Sequence, residues 1–162
     1  MNRYTDAHEI LPNLWLGNRN ASMDEDFIKH CRITVVFNCT KNLPFSPMIP
    51  IKYRIPVDDN LEEEEIRNME LWSAEIAFKI ISEYNRGHAI LVHCAAGRQR
   101  SAASIAFMLI AYQKMRGLEA IQYIKQKRPV AFMPNANFGR SIDYFDRKYH
   151  GEILPDMHKI RL

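Results

Sequence analysis

The segment "ILVHCAAGRQRSAAS", residues 90–104, decides the fold. Residues 88–93 form a short, almost wholly apolar run of the kind buried on both faces of a parallel sheet. The run delivers Cys94 at its carboxyl end, and a helix is expected from about Arg100. Open α/β sheets place their ligand sites at that end of the strands. Ala95, Ala96 and Gly97 are small enough for successive backbone N–H groups to turn inward as an anion-binding nest. The helix start adds unpaired N–H donors and a partial positive charge. The same field favours a thiolate, since thiol pKa values at helix N-termini fall to about 3.5–7.5. Arg100 contributes a planar fork that grips two oxygens of one phosphate, which a lysine could not match. A buried cysteine is ordinarily a small hydrophobe without chemistry. Here nest, helix start and arginine together point to a nucleophile beside a dianion clamp.

Outward from this segment, apolar spacing alternates between strand and helix. "EILPNLWLG" reads as a strand pair or strand and turn closed by Gly17 and Asn18. Ser22 or Asp24 offers an N-cap for a short helix. "RITVVFNC" is a β-branched buried strand, broken by the prolines of "NLPFSPMIP", and "IKYRIPV" is a further strand. Leu71, Trp72, Ile76, Ile80, Ile81 and Tyr84 recur at helical spacing, so an amphipathic helix is expected over 68–84, ended by Gly87. Three more helices are expected, over about 100–115, 118–127 and 135–149, with residues 151–162 as a tail. The implied fold class is α/β: a central mixed, mostly parallel sheet of about five strands flanked by helices.

Composition narrows the function classes. A chain of 162 residues, 47% hydrophobic and 25% charged, suits one globular domain. A formal charge of +3 permits an anionic ligand but gives no concentrated basic stripe, so no nucleic-acid partner is expected. The longest nearly apolar run, 102–112, is too short to span a bilayer, and the polar start lacks a signal-peptide core. Cys31, Cys39 and Cys94 form neither a disulfide framework nor a metal-binding spacing, and the six histidines are scattered. A soluble protein of a reducing compartment is expected, cytoplasmic with the nucleus as alternative and not secreted, without metal or cofactor.

His93, Cys94, five intervening residues, Arg100 and Ser101 resemble the His-Cys-x5-Arg-Ser/Thr signature of the cysteine-based protein tyrosine phosphatase superfamily. "ILPNLWLGN", "RITVVFN", "YRIPVDDN", "MRGLEAIQYIKQKRP" and "PNANF" are similar to successive segments of its dual-specificity branch, so the resemblance spans residues 8–150. It implies a small, atypical dual-specificity catalytic domain over those residues. Cys94 would attack phosphorus and form a phosphocysteine. Arg100 and the backbone amides of Ala95, Ala96, Gly97, Arg98, Gln99 and Arg100 would bind the equatorial oxygens. Ser101 would assist departure of the sulfur, and His93 would orient the loop and support the thiolate. The pattern Ile-Pro-x-x-Asp puts the general acid at Asp59, with Asp58 as runner-up. Both also suit turn and cap chemistry. Glu62, Glu63, Glu64 and Glu65 read as a solvated helix start without a catalytic part.

Gln99 departs from the resembled pattern, in which a small residue precedes the arginine, and Arg98 adds a cation at the rim. Basic residues there also occur in lipid-directed relatives; the plainer reading points Arg98 into solvent. Trp15 and Trp72 suit packing better than ligand stacking. Asn135 is placed either near the acid loop or as a helix N-cap. "NRY" at 2–4 is similar to a phosphotyrosine-recognition loop only by coincidence of terminus. Cys39 is a candidate disulfide partner for Cys94, with a buried structural cysteine as the alternative. The expected substrates are phosphotyrosine and phosphoserine/threonine proteins, with a phospholipid phosphatase or a non-catalytic phosphoresidue-binding module as alternatives. A monomer without membrane anchor is the default.

Overall fold

The computed structural model describes residues 5–153. β1 (Ala7–Leu11) and β2 (Leu14–Gly17) form an antiparallel pair, followed by α1 (Arg19–Met23) and α2 (Glu25–His30). Then come β3 (Ile33–Asn38), β4 (Ile51–Arg54), α3 (Glu63–Asn85), β5 (Ala89–His93), α4 (Arg100–Tyr112), α5 (Gly117–Lys127) and α6 (Gly139–Lys148). The five-stranded sheet has the order β1-β2-β5-β3-β4, parallel except for β1. This is the expected mixed, mostly parallel sheet.

β5 sits at the centre, all five of its residues buried and Ala89 to Val92 apolar on both faces. Ile90 and Val92 face the layer of α3 and α4, whereas Ala89 and Leu91 face Phe27 and Ile28 of α2. That two-residue period continues past the strand, so Cys94 falls on the α4 side with Ile90 and Val92. In the register, His93 stands level with Gly17 on β2 and Asn38 on β3. The parallel strands therefore end together, and the loop after His93 occupies their common carboxyl edge.

α4 starts under that edge and is buried from Ser101 to Ala111, packed among α3, α5, α6 and β5. Its alanines permit close approach of these neighbours. Trp15 meets Phe27 edge to face at 5.3 Å, and Trp72 packs against the core, so both tryptophans serve packing. Asp24, not Ser22, caps α2, its carboxylate accepting the Phe27 N–H at 2.8 Å.

Four boundaries differ from those expected. α3 begins five residues before Asn68, at Glu63, because its first turn is acidic and the apolar period only starts at Ile66. α4 ends at Tyr112, short of Met115, where Lys114 takes a left-handed φ of 60° without a glycine to announce it. α6 begins at Gly139, since the preceding residues bond to Gln99 instead of to one another. The expected tail starts late: a π-helical turn covers Tyr149–Ile153. Residues 2–4 and 154–162 lie outside the described residues.

Candidate active site

Four carbonyls explain the shape of the loop after β5. Ala95 O accepts from Arg19 N–H at 3.0 Å and Arg98 O from Phe132 N–H at 2.7 Å. Ala96 O and Gly97 O accept from the Arg128 guanidinium, at 3.1 and 2.8 Å. In a trans peptide the carbonyl and the next N–H point oppositely. With these carbonyls bonded outward, the amides of Ala96, Gly97, Arg98 and Gln99 turn toward the centre of the loop, forming the anticipated nest. Gly97 is required there: its φ is +66°, and a Cβ would lie 2.5 Å from Gly17 O.

Arg128 was invisible in the sequence as a functional residue. It is only 1% exposed and also donates to Thr5 O and to His8 Nδ1, locking the loop to the start of the chain from behind. Its signal, an arginine before proline, is too common to single out.

Cys94 lies on the floor of the loop, 2% exposed, with its Sγ 3.1 Å from Ser101 Oγ. Burial pushes its thiol pKa up. The Ser101 hydroxyl, the Arg100 charge and the N–H groups of Ser101 and Gly97 outweigh that burial and bring it below the ordinary value. His93 Nδ1 meets Cys94 O at 3.2 Å. Burial first, then the nearby arginines, lower the His93 pKa to about 4 against the backbone bond, so the imidazole is neutral. His93 thus steadies the backbone and supplies no charge to the sulfur.

Arg100 Nη1 donates to Val57 O at 3.1 Å, tying the arginine to the loop after β4, while its buried Nε has no acceptor among the described residues. An oxyanion in the nest would provide one. The two aspartates separate cleanly. Asp58 faces away, with its Oδ2 3.2 Å from Lys41 Nζ. Asp59 lines the cleft with Cys94, Arg98, Arg100, Met133 and Asn137.

Glu65 corrects the solvated reading of the acidic helix start. It is 6% exposed, accepts from Lys41 Nζ at 2.7 Å and from the Asp58 N–H at 2.8 Å, pinning the loop after β4. Asn135 is corrected as well: among the described residues only its backbone carbonyl is engaged, by Gln99, and the residue before α6 is Phe138. The side chain that reaches Asp59 is that of Asn137, whose Nδ2 donates to Asp59 Oδ1 at 2.8 Å. Arg98 is exposed at the rim. Cys39 is fully buried beside the site, its N–H on His93 O at 2.8 Å and its Sγ 3.5 Å from Ser104 Oγ. Burial pushes its thiol up to about 12. Among the described residues no three His, Cys, Asp or Glu side chains group as a metal site.

Cys94, Arg100 and Asp59 thus line one cleft, together with the loop after β5. Residues 14–148 match the family "Dual specificity phosphatase, catalytic domain". The chain belongs to that family. Mouse dual specificity protein phosphatase 2 is 38% identical over 132 residues, which are 80% of this chain and 40% of that protein. The chain thus spans less than half the length of that relative. Mouse dual specificity protein phosphatase 14 is 29% identical over 163 residues, covering 93% of this chain and 80% of that protein. The crystal structure of human DUSP28 aligns with this phosphatase domain at a TM-score of 0.74 and 27% identity, over 89% of this chain and 95% of that one. The same fold occurs in human tyrosine phosphatase-like serine/threonine/tyrosine-interacting protein, at a TM-score of 0.73 and 23% identity over 90% and 99% of the two chains. No helix among the described residues is long and apolar enough to cross a membrane.

Proposed function

We propose that this chain hydrolyses phosphate monoesters on phosphotyrosine and phosphoserine/threonine proteins through a phosphocysteine intermediate, without a metal or cofactor. The catalytic unit is residues 8–150. One observation carries the reading: Cys94, below its ordinary pKa, lies in the cleft that Asp59 lines from the opposite loop, with Arg100 bonded to that loop. A phosphoresidue-binding module needs the nest alone; it has no use for an activated thiolate or an opposed acid.

In the first step the Cys94 thiolate attacks phosphorus, the P–O bond to the substrate breaks, and the Asp59 carboxyl gives its proton to the departing oxygen. The loop amides and Arg100 hold the equatorial oxygens as charge spreads over them. In the second step water attacks phosphorus, Asp59 takes a proton from it, and the P–S bond breaks. The Ser101 hydroxyl, 3.1 Å from Sγ, donates to the sulfur as it regains charge. Inorganic phosphate leaves and the thiolate is restored. This chemistry needs a reduced Cys94, which suits a reducing compartment such as the cytoplasm or nucleus.

The test is Cys94→Ser together with Arg100→Lys. Cys94→Ser should abolish turnover while still binding vanadate, and Arg100→Lys should retain only a trace of activity. Wild-type activity should persist in EDTA and vanish with iodoacetate. Full activity of Cys94→Ser, or a strict metal requirement, overturns the mechanism. A second substrate reading follows from Arg98, an exposed cation on the cleft rim that suits anionic surroundings, including extra phosphates on a lipid headgroup. Comparing phosphotyrosine and phosphothreonine peptides with phosphoinositide and phosphatidylglycerophosphate vesicles decides it. A lipid kcat/KM tenfold above both peptides would replace the protein reading.

A further inference from the structure

A carboxyl on an exposed loop is free to swing unless something holds it, and Asp59 is exposed. Its Oδ1 accepts the Nδ2–H of Asn137 at 2.8 Å. Asn137 lies in the irregular segment before α6, where its own backbone N–H donates to Gln99 Oε1 at 2.9 Å. Gln99 is 5% exposed, and its remaining amide bonds go to the same segment, from Nε2 to Met133 O at 3.0 Å and Asn135 O at 2.7 Å. A glutamine amide offers donors on one atom and an acceptor on the other. All three of these bonds cross from the phosphate loop to 133–137, and Phe132 N–H on Arg98 O adds a backbone tie at 2.7 Å.

We propose that the Gln99 side chain is a positioning residue for the general acid: it fixes the 133–137 segment to the phosphate loop and, through Asn137, aims the Asp59 carboxyl over Cys94. This rests on the reading of Asp59 as general acid. The chemistry of the contact adds direction. An amide N–H only donates, so it occupies a carboxyl oxygen that bears no proton. With Oδ1 taken by Asn137, the acid proton sits on Oδ2, the oxygen left to face the departing group. After transfer, Oδ1 still accepts from Asn137 and Oδ2 is ready to take a proton from the attacking water. One brace therefore serves both steps. The unusual residue of the loop, Gln99, acquires a reason: a small side chain could not span from the phosphate loop to Asn137.

The test compares kcat/KM on phenyl phosphate, whose leaving group needs the proton, with p-nitrophenyl phosphate, whose leaving group needs it much less. Gln99→Ala, Asn137→Ala and the isosteric Asn137→Asp are measured in wild-type and Asp59→Asn backgrounds. Each should lose about tenfold more on phenyl phosphate than on p-nitrophenyl phosphate, in keeping with one exposed hydrogen bond. In the Asp59→Asn background that selective loss should disappear, because the group being positioned is gone. Equal losses on both substrates that multiply with the Asp59→Asn loss would mean that Gln99 and Asn137 only support the loop, and would overturn the inference alone. If Asp59→Asn itself shows no leaving-group dependence, the general-acid reading falls and the inference with it. Should Gln99→Ala fail to fold, the exposed-side variants of Asn137 carry the same comparison.

Discussion

At the scale of single residues, neutrality and charge are set by which donors reach each buried group. His93 has no exposure and its pKa is lowered to about 4 from an ordinary 6.5. Between those values the unfolded chain binds a proton that the folded one refuses. The stability is therefore complete above pH 6.5 and is lost as pH falls toward 4, by an amount on the order of 3 kcal/mol. Denaturation followed across that range should show the loss, and His93→Asn should flatten it. An unchanged slope in His93→Asn would assign the acid sensitivity elsewhere. For the acid, Asp59→Asn should lower kcat/KM on phenyl phosphate by about 10²–10⁴-fold, whereas Asp58→Asn should act weakly, through loss of the Lys41 pair. A larger defect in Asp58→Asn would reverse the assignment.

Cys39 is decided by reactivity. Peroxide converts the Cys94 thiolate to a sulfenic acid, releasing hydroxide; attack by the Cys39 thiol would then form the disulfide and release water. With its thiol pushed up to about 12, Cys39 holds almost no thiolate for that attack. Peptide mapping after peroxide should find Cys94 as sulfinic acid with Cys39 free; a Cys39–Cys94 disulfide would show instead that the buried thiol is mobilised. What was legible in the sequence at this scale was chemistry within one short segment, Cys94 to Ser101, plus Asp59 by its motif. Arg128, Asn137 and Glu65 act across 31, 78 and 7 residues respectively. The distant pairs leave no local pattern. Glu65 was hidden among four successive glutamates, where nothing distinguishes the one that turns inward.

At the scale of elements, the loop carrying Asp59 is held at four points: Val57 O by Arg100, Asp58 N–H by Glu65, Asp58 Oδ2 by Lys41 and Asp59 Oδ1 by Asn137. Glu65→Ala removes the tie to the Asp58 N–H and leaves Lys41 without its shortest partner. It should cost several-fold in kcat/KM on phenyl phosphate. Equal activity of Glu65→Ala would mean that the remaining ties suffice. The strands were readable because β-branched runs and the two-residue period are local properties. The ends of α3, α4 and α6 were not, since each is set by something outside the apolar period. α3 starts on a charged turn, α4 stops at a left-handed lysine, and α6 waits until Gln99 releases the backbone before it.

At the scale of the whole molecule, the parallel strands end level, so α4 begins where β5 stops and the nest forms between them. Arg128, reaching back from the end of α5, holds two carbonyls of that nest outward and joins it to the first described residue. Arg128→Met should weaken binding of vanadate more than tenfold, because freed carbonyls can turn inward and present oxygen to an anion. Unaltered vanadate affinity would show that the turn closes without the guanidinium. A mixed, mostly parallel sheet of about five strands could be inferred from alternating strands and helices together with the signature. The tie from Arg128 to Thr5 could not, since it joins residues 123 apart.

The central claim is that phosphate is transferred to Cys94, and the direct measurement is rapid acid quenching of the enzyme during turnover of a radiolabelled phosphotyrosine peptide, followed by peptide mapping. Label on the Cys94 peptide of the wild-type enzyme, higher in Ser101→Ala because the sulfur leaves more slowly, and absent in Cys94→Ser, is the predicted result. Turnover with no covalent label in either the wild type or Ser101→Ala, or label on another residue, would contradict it.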